Sequence, residues 1–162
     1  VATDFQKLIE TLADHGVEFV IIGGVALVLQ GSPRSTGDLD ICYGRSPENL
    51  ARLAQALDAF SPGLRGAPPG LPFRLDARTL RSGLNFTLTT ESGDLDLLGE
   101  VAGVGSYSQA VRDADPMELY GRRVLVMSLD TLEIAKRAAG RIKDLSDLAH
   151  IVEIRKRREQ KI

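Results

Sequence analysis

Phe5, Leu8, Ile9 and Leu12 recur at i, i+3, i+4 and i+7, the apolar stripe of an amphipathic helix. Thr3 and Gln6 stand before it at capping-box spacing, and Gly16 follows as a C-terminal stop. The period then changes. Phe19–Ile22 is an unbroken apolar run, too short for a helix, and predicts a buried strand broken by Gly23-Gly24. Val25–Gln30 reads as a short helix closed by Gly31. Leu39, Ile41 and Tyr43 alternate with Asp38, Asp40 and Cys42, which is strand periodicity. Ser46 as N-cap, Pro47 in the first turn and a Leu50, Leu53, Ala54, Leu57 face mark the next helix.

Residues 61–72 hold four prolines and three glycines and predict a loop. Strand material resumes as Asn85–Thr90 and Asp94–Leu98, a hairpin turning near Gly93. The glycines of 99–106 predict a mobile loop, and Gly121 turns a second hairpin between Met117–Tyr120 and Arg123–Met127. From Ser128 onward the pattern is helical, with Leu145, Leu148, Ala149 and Val152 as its apolar stripe. This order of helices and local hairpins predicts an α/β (α+β) protein with a small mixed sheet, not a doubly wound one. A chain of 162 residues is one structural domain by size. Residues 1–128 read as its core and 129–162 as a C-terminal helical extension packed on it.

Composition narrows the class. No apolar run reaches the ~18 residues that span a bilayer, and no basic-then-apolar leader opens the chain, so a soluble cytoplasmic protein is expected. The lone Cys42 excludes an internal disulfide framework and a multi-cysteine zinc site. A net charge of -2 hides an acidic body and a basic tip, where Arg155, Lys156, Arg157 and Arg158 run together. The tip fits a solvated helix end, and also fits a nucleic-acid contact.

Three features carry chemistry. Gly23-Gly24 lies between a strand and a helix, where a phosphate can approach the backbone and free amides favour an anion. Asp38 and Asp40 share one strand face while Leu39 and Ile41 enter the core. Two carboxylates ~4 Å apart repel by about 4 kcal/mol at an effective dielectric of 20, a cost that a divalent cation removes. All-oxygen ligands suit Mg2+ or Mn2+. Asp94 and Asp96 form a second such pair, and two pairs on neighbouring strands would supply three or four carboxylates to one cleft.

The series Gly23-Gly24, Arg34-x-Thr36-x-Asp38-x-Asp40 and a later Leu-flanked Asp96 resembles the nucleotidyltransferase superfamily typified by DNA polymerase beta. Lys136-Arg137, Arg141, Lys143-Asp144 and Asp147-Leu148 are similar to the C-terminal signature of small AbiEii-type toxin nucleotidyltransferases. The likeness spans most of residues 17–150, with 61–83 unmatched. It implies a nucleotidyltransferase fold in which Asp38, Asp40 and Asp96 bind metal and act catalytically, with Lys136 beside them. It further implies that Gly23, Gly24, Arg34, Thr36, Lys143 and Asp144 contact the nucleotide. Asp96 is preferred to Asp94, which follows the turn at Gly93. The implied reaction moves an NMP from an NTP to an RNA hydroxyl, a tRNA end above all, or to a protein hydroxyl, with pyrophosphate leaving. The implied setting is a toxin–antitoxin pair, with an antitoxin or a toxin as partner. Two alternatives stand beside it: a minimal antitoxin that adenylylates its toxin, and a non-catalytic binding module of the same fold.

Overall fold

Phe19–Ile22 forms a strand, β1, that is buried along its whole length, as an apolar run without alternation requires. A computed structural model describes residues 2–161. In chain order the elements are α1 (Phe5–Asp14), β1, α2 (Gly23–Leu29), β2 (Asp38–Tyr43), α3 (Pro47–Asp58), β3 (Gly63–Leu64) and α4 (Ala77–Ser82). They continue as β4 (Asn85–Thr90), β5 (Gly93–Leu98), β6 (Glu100–Val101), β7 (Gly105–Ser106) and α5 (Tyr107–Ala110). The chain closes with β8 (Asp115–Leu119), β9 (Arg122–Val126), α6 (Leu129–Ala139) and α7 (Ile142–Gln160). Seven strands make one mixed sheet in the order β3-β4-β5-β2-β1-β9-β8, flanked by helices. The fold is mixed α/β, as the element order predicts.

Register places the site. β2 runs parallel to β5 with Asp38 opposite Asp94 and Asp40 opposite Asp96, and antiparallel to β1 with Asp40 opposite Ile22. Leu39, Ile41, Leu95 and Leu97 therefore share one face, wholly buried in a core with Leu8, Leu12, Leu53 and Leu57. The aspartates share the other.

Several local expectations are corrected by longer-range demands. Asp4, not Thr3, caps α1, accepting from the Lys7 amide at 3.0 Å. The Thr3 hydroxyl is engaged across the chain, donating to the Gly37 carbonyl and accepting from the Asp94 amide. The helix after β1 begins at Gly23, two residues before Val25. The proline-rich loop carries β3, which pairs with β4 at the sheet edge. Residues 99–106 are a two-stranded ribbon, β6 with β7, its turn using positive φ at Gly103 and Gly105.

At the C-terminal end, Gly140 takes a left-handed conformation (φ 62°) and ends α6. α7 then turns an unexpected face inward: Asp144, Asp147, Ile151 and Ile154 are buried, whereas Leu145 and Val152 stay 65% and 48% exposed. The basic tip is largely exposed, yet tied back to the body of the protein. Arg155 pairs with Asp130 and Glu133, Arg157 donates to the Gly31 carbonyl, and Arg158 donates to Gln30 Oε1 at 2.8 Å. Three of the four cations thus bind α7 to the body of the protein. Among the described residues no helix is long and apolar enough to cross a membrane.

Candidate active site

Parallel pairing of β2 and β5 brings Asp38, Asp40 and Asp96 together, one oxygen of each lying within 4.8 Å of the others. Asp94 stays outside this group, 43% exposed, with Arg65 Nε at 3.5 Å. Of the two aspartates on β5, Asp96 is the one in the cluster.

Asp40 is the deepest of the three. Its Oδ2 fills the space above Gly23, where a Cβ would stand 2.3 Å away. Its Oδ1 is buried and has no hydrogen-bond partner. Burial, followed by the charges of Asp38 and Asp96, pushes its carboxyl up to about 8. Burial also raises Asp96, against the opposing pull of Arg65. A buried acceptor-only oxygen with no donor, beside two further carboxylates, fits a hard divalent cation. The glycines serve this arrangement directly. A Cβ on Gly24 would come within 2.7 Å of Thr36 Oγ1, so Gly23-Gly24 makes room for site side chains as well as for a ligand.

Arg65 was not among the residues singled out from sequence. It donates from Nη2 to Asp96 Oδ1 at 2.7 Å and to the Leu88 carbonyl at 2.6 Å. Its signal was slight but present: it is the only charged residue of 61–72.

On the other side of the carboxylates lies a polar pocket of about 150 Å3 whose wall includes Gly24, Arg34, Thr36, Lys136, Arg141 and Lys143. Arg34 holds Asp147 through two bonds of 2.9 and 2.7 Å, and Lys136 Nζ reaches the same carboxylate at 2.8 Å. Arg141 holds Asp144 from its main-chain and side-chain nitrogens, at 3.0 and 2.9 Å. Asp144 is a buried partner of these cations. Its side chain is 1% exposed and answers Arg141 and Lys136, not the pocket. Burial opposes its charge, but the Arg141 hydrogen bonds and the Lys136 charge outweigh that and hold its carboxyl below the usual range. Lys143 lines the pocket and forms no ion pair among the described residues. The break at Gly140 lets Lys136 and Lys143 border one pocket from different helices.

A second cleft, of about 310 Å3, opens beside Gly23 and Asp40 between the end of β5, the β6–β7 ribbon and α6. Its wall is aliphatic, and Lys136 and Arg141 stand at its junction with the polar pocket.

No protein-family model matches the chain, and no curated protein does. Solved structures do. The lincosamide antibiotic adenylyltransferase LnuA, in its lincomycin-bound form, superposes with a TM-score of 0.61 over 95% of this chain and 99% of its own, at 12% identity. The chain has the nucleotidyltransferase fold. TM1012 from Thermotoga maritima, assigned to the nucleotidyltransferases, matches with a TM-score of 0.57 over 91% and 89% of the two chains, at 17% identity. An antigenic nucleotidyltransferase-like protein from Paracoccidioides brasiliensis matches at 0.52, covering 94% of this chain and 77% of its own, at 18% identity. In this nucleotidyltransferase fold the three aspartates sit on the central strands β2 and β5, and the cations come from the 31–37 loop, α6 and α7.

Proposed function

We propose that this chain is a metal-dependent nucleotidyltransferase that moves an NMP from an NTP to an acceptor hydroxyl and releases pyrophosphate. The observation that carries this reading is the orphaned, buried Asp40 Oδ1 inside a three-carboxylate cluster, next to a pocket walled by cations. Asp38, Asp40 and Asp96 would hold Mg2+ or Mn2+, which supplies charge stabilisation to the attacking and leaving oxygens when bound. Arg34, Lys136 and Lys143, with Gly24 and Thr36, would receive the triphosphate. Arg141 borders the same pocket, and Asp144 and Asp147 keep the cations in place. Asp96, on β5 and bonded to Arg65, would face the acceptor. Residues 1–128 act in this reading as the catalytic core, and 129–162 as the helical extension that completes the phosphate seat.

The acceptor in this reading is an RNA end, a tRNA above all, or a hydroxyl of a partner protein, within a cytoplasmic toxin–antitoxin pair. The resemblance of Lys136–Leu148 to toxin nucleotidyltransferases supports it. In the basic tip Arg155 is ion-paired, whereas Arg157 and Arg158 bond only neutral oxygens and keep their charge. The test is incubation with labelled NTPs, Mg2+ or Mn2+, and total tRNA, a co-encoded protein or small hydroxylated compounds. One acceptor class is expected to take label, and Asp40→Asn is expected to abolish labelling while keeping the melting transition. Equal labelling by that variant would overturn the assignment.

A further inference from the structure

We infer that the aliphatic cleft seats the nucleobase of the NTP without reading its edge, so that the site accepts purine and pyrimidine triphosphates alike. This rests on the function just proposed. The cleft and the polar pocket share Asp40, Lys136 and Arg141. A ligand lying in the cleft and passing that junction is therefore continuous with the phosphates. Asp96 borders the polar pocket but not the cleft, so the acceptor side of the cluster lies elsewhere. The cleft's volume of about 310 Å3 is at the small end of the ~300–1,000 Å3 usual for ligand sites, which suits a nucleoside and not a macromolecular acceptor.

The wall decides the specificity. Leu98, Val101, Ala102, Met127, Leu132 and Ala135 carry no side-chain donor or strong acceptor. Apart from Ala102 at the ribbon turn, their main chain is largely engaged within the fold. Met127 donates its amide to the Ile21 carbonyl and accepts at its own carbonyl from Gln30 Nε2. Val101 pairs with Gly105, and its carbonyl accepts from Val104. Leu132 and Ala135 belong to α6. At the mouth, Lys136 and Arg141 stand at the junction with the polar pocket, on the phosphate side of the base. Such a pocket gains by covering the faces of a base, whereas strong discrimination needs buried polar groups that the wrong base leaves unpaired.

The test is calorimetric titration of the full-length chain with ATP, GTP, CTP, UTP and inorganic tripolyphosphate, each with Mg2+. The dissociation constants of the four NTPs are expected within about tenfold of one another, and all below that of tripolyphosphate. Ala135→Phe, which fills the cleft, is expected to weaken every NTP toward the tripolyphosphate value and to leave tripolyphosphate unchanged. Preference for one base beyond tenfold, NTPs no tighter than tripolyphosphate, or an unaffected variant would each overturn the inference while sparing the phosphate site. Silence of tripolyphosphate and NTPs together would instead sink the proposed function beneath it. The parent series needs no variant, so a poorly folding Ala135→Phe does not blunt the test.

Discussion

Arg65 Nη2 donates to Asp96 Oδ1 at 2.7 Å, so one carboxylate of the metal-competent cluster carries a cation tethered from the edge of the sheet. That guanidinium steadies the cluster without metal and opposes a divalent ion arriving at the same oxygen. Arg65→Gln is therefore expected to lower metal-free stability by about 1–2 kcal/mol, the worth of charge-assisted bonds partly exposed to water. It is expected to tighten Mg2+ binding about tenfold by removing a nearby positive charge. Thermal melting and Mg2+ calorimetry measure the two effects. Weaker Mg2+ binding would instead make Arg65 a support that aims Asp96 at the ion.

Gly23→Ala separates space from charge. It removes none of the three carboxylates, yet its Cβ would stand 2.3 Å from Asp40 Oδ2, at a φ of +64°. The left-handed conformation alone costs roughly 1–2 kcal/mol for a residue with a Cβ. Displacement of Asp40 is expected to remove the Mg2+-dependent rise in melting temperature. A variant that melts lower but keeps that rise would show that Asp40 can shift without leaving the cluster.

Asp40 also sets a pH dependence. Its carboxyl lies at about 8 in the folded protein against an ordinary 3.8, so the folded state keeps a proton that the unfolded chain releases. The stability this confers is full below about pH 4 and declines as the pH rises toward 8. Asp14, Asp76, Glu133 and Asp144, all held below their ordinary values, act in the opposite sense and only at the acid end. Melting temperatures of the metal-free protein are expected to fall from pH 5 to 8, and Asp40→Asn to flatten that fall. Mg2+ must displace the proton, so its affinity is expected to rise over the same interval. A flat parent profile would refute the assignment.

Asp147 pairs with two cations at once, Arg34 and Lys136, with its side chain only 7% exposed. Asp147→Asn leaves those charges in a buried setting with only Asp144 nearby, 3.5 Å from Lys136. A loss of about 3 kcal/mol is expected, as for other broken buried pairs. Tripolyphosphate supplies the missing negative charge, so it is expected to raise the variant's melting temperature more than the parent's. An equal rise in both would place the anion away from these cations.

Short-range pattern was enough for the longer elements, though not for β3, α4, α5 or the β6–β7 ribbon. Periods of 3.6 and 2, the Ser46-Pro47 cap, and turns at Gly93 and Gly121 are local physics, and α3, β2 and both hairpins stand where that pattern puts them. The alternation of Asp38 and Asp40 with Leu39 and Ile41 also determined which side chains face away from the core. The sequence alone did not decide which distant residues meet them. Arg65 reaches Asp96 only because β3 pairs with β4, a contact between segments that share no local pattern. The apolar stripe through Leu145 and Val152 lost to the carboxylates of Asp144 and Asp147, because Arg34 and Lys136 require buried counter-charge and a helix can turn only one face inward. Thr3 left its capping position because its hydroxyl bonds the main chain of Gly37 and Asp94 across the fold. Periodicity reports how a segment folds against its neighbours in the chain, whereas register, ion pairing and the room above Gly23 are set by residues brought close only when the sheet assembles.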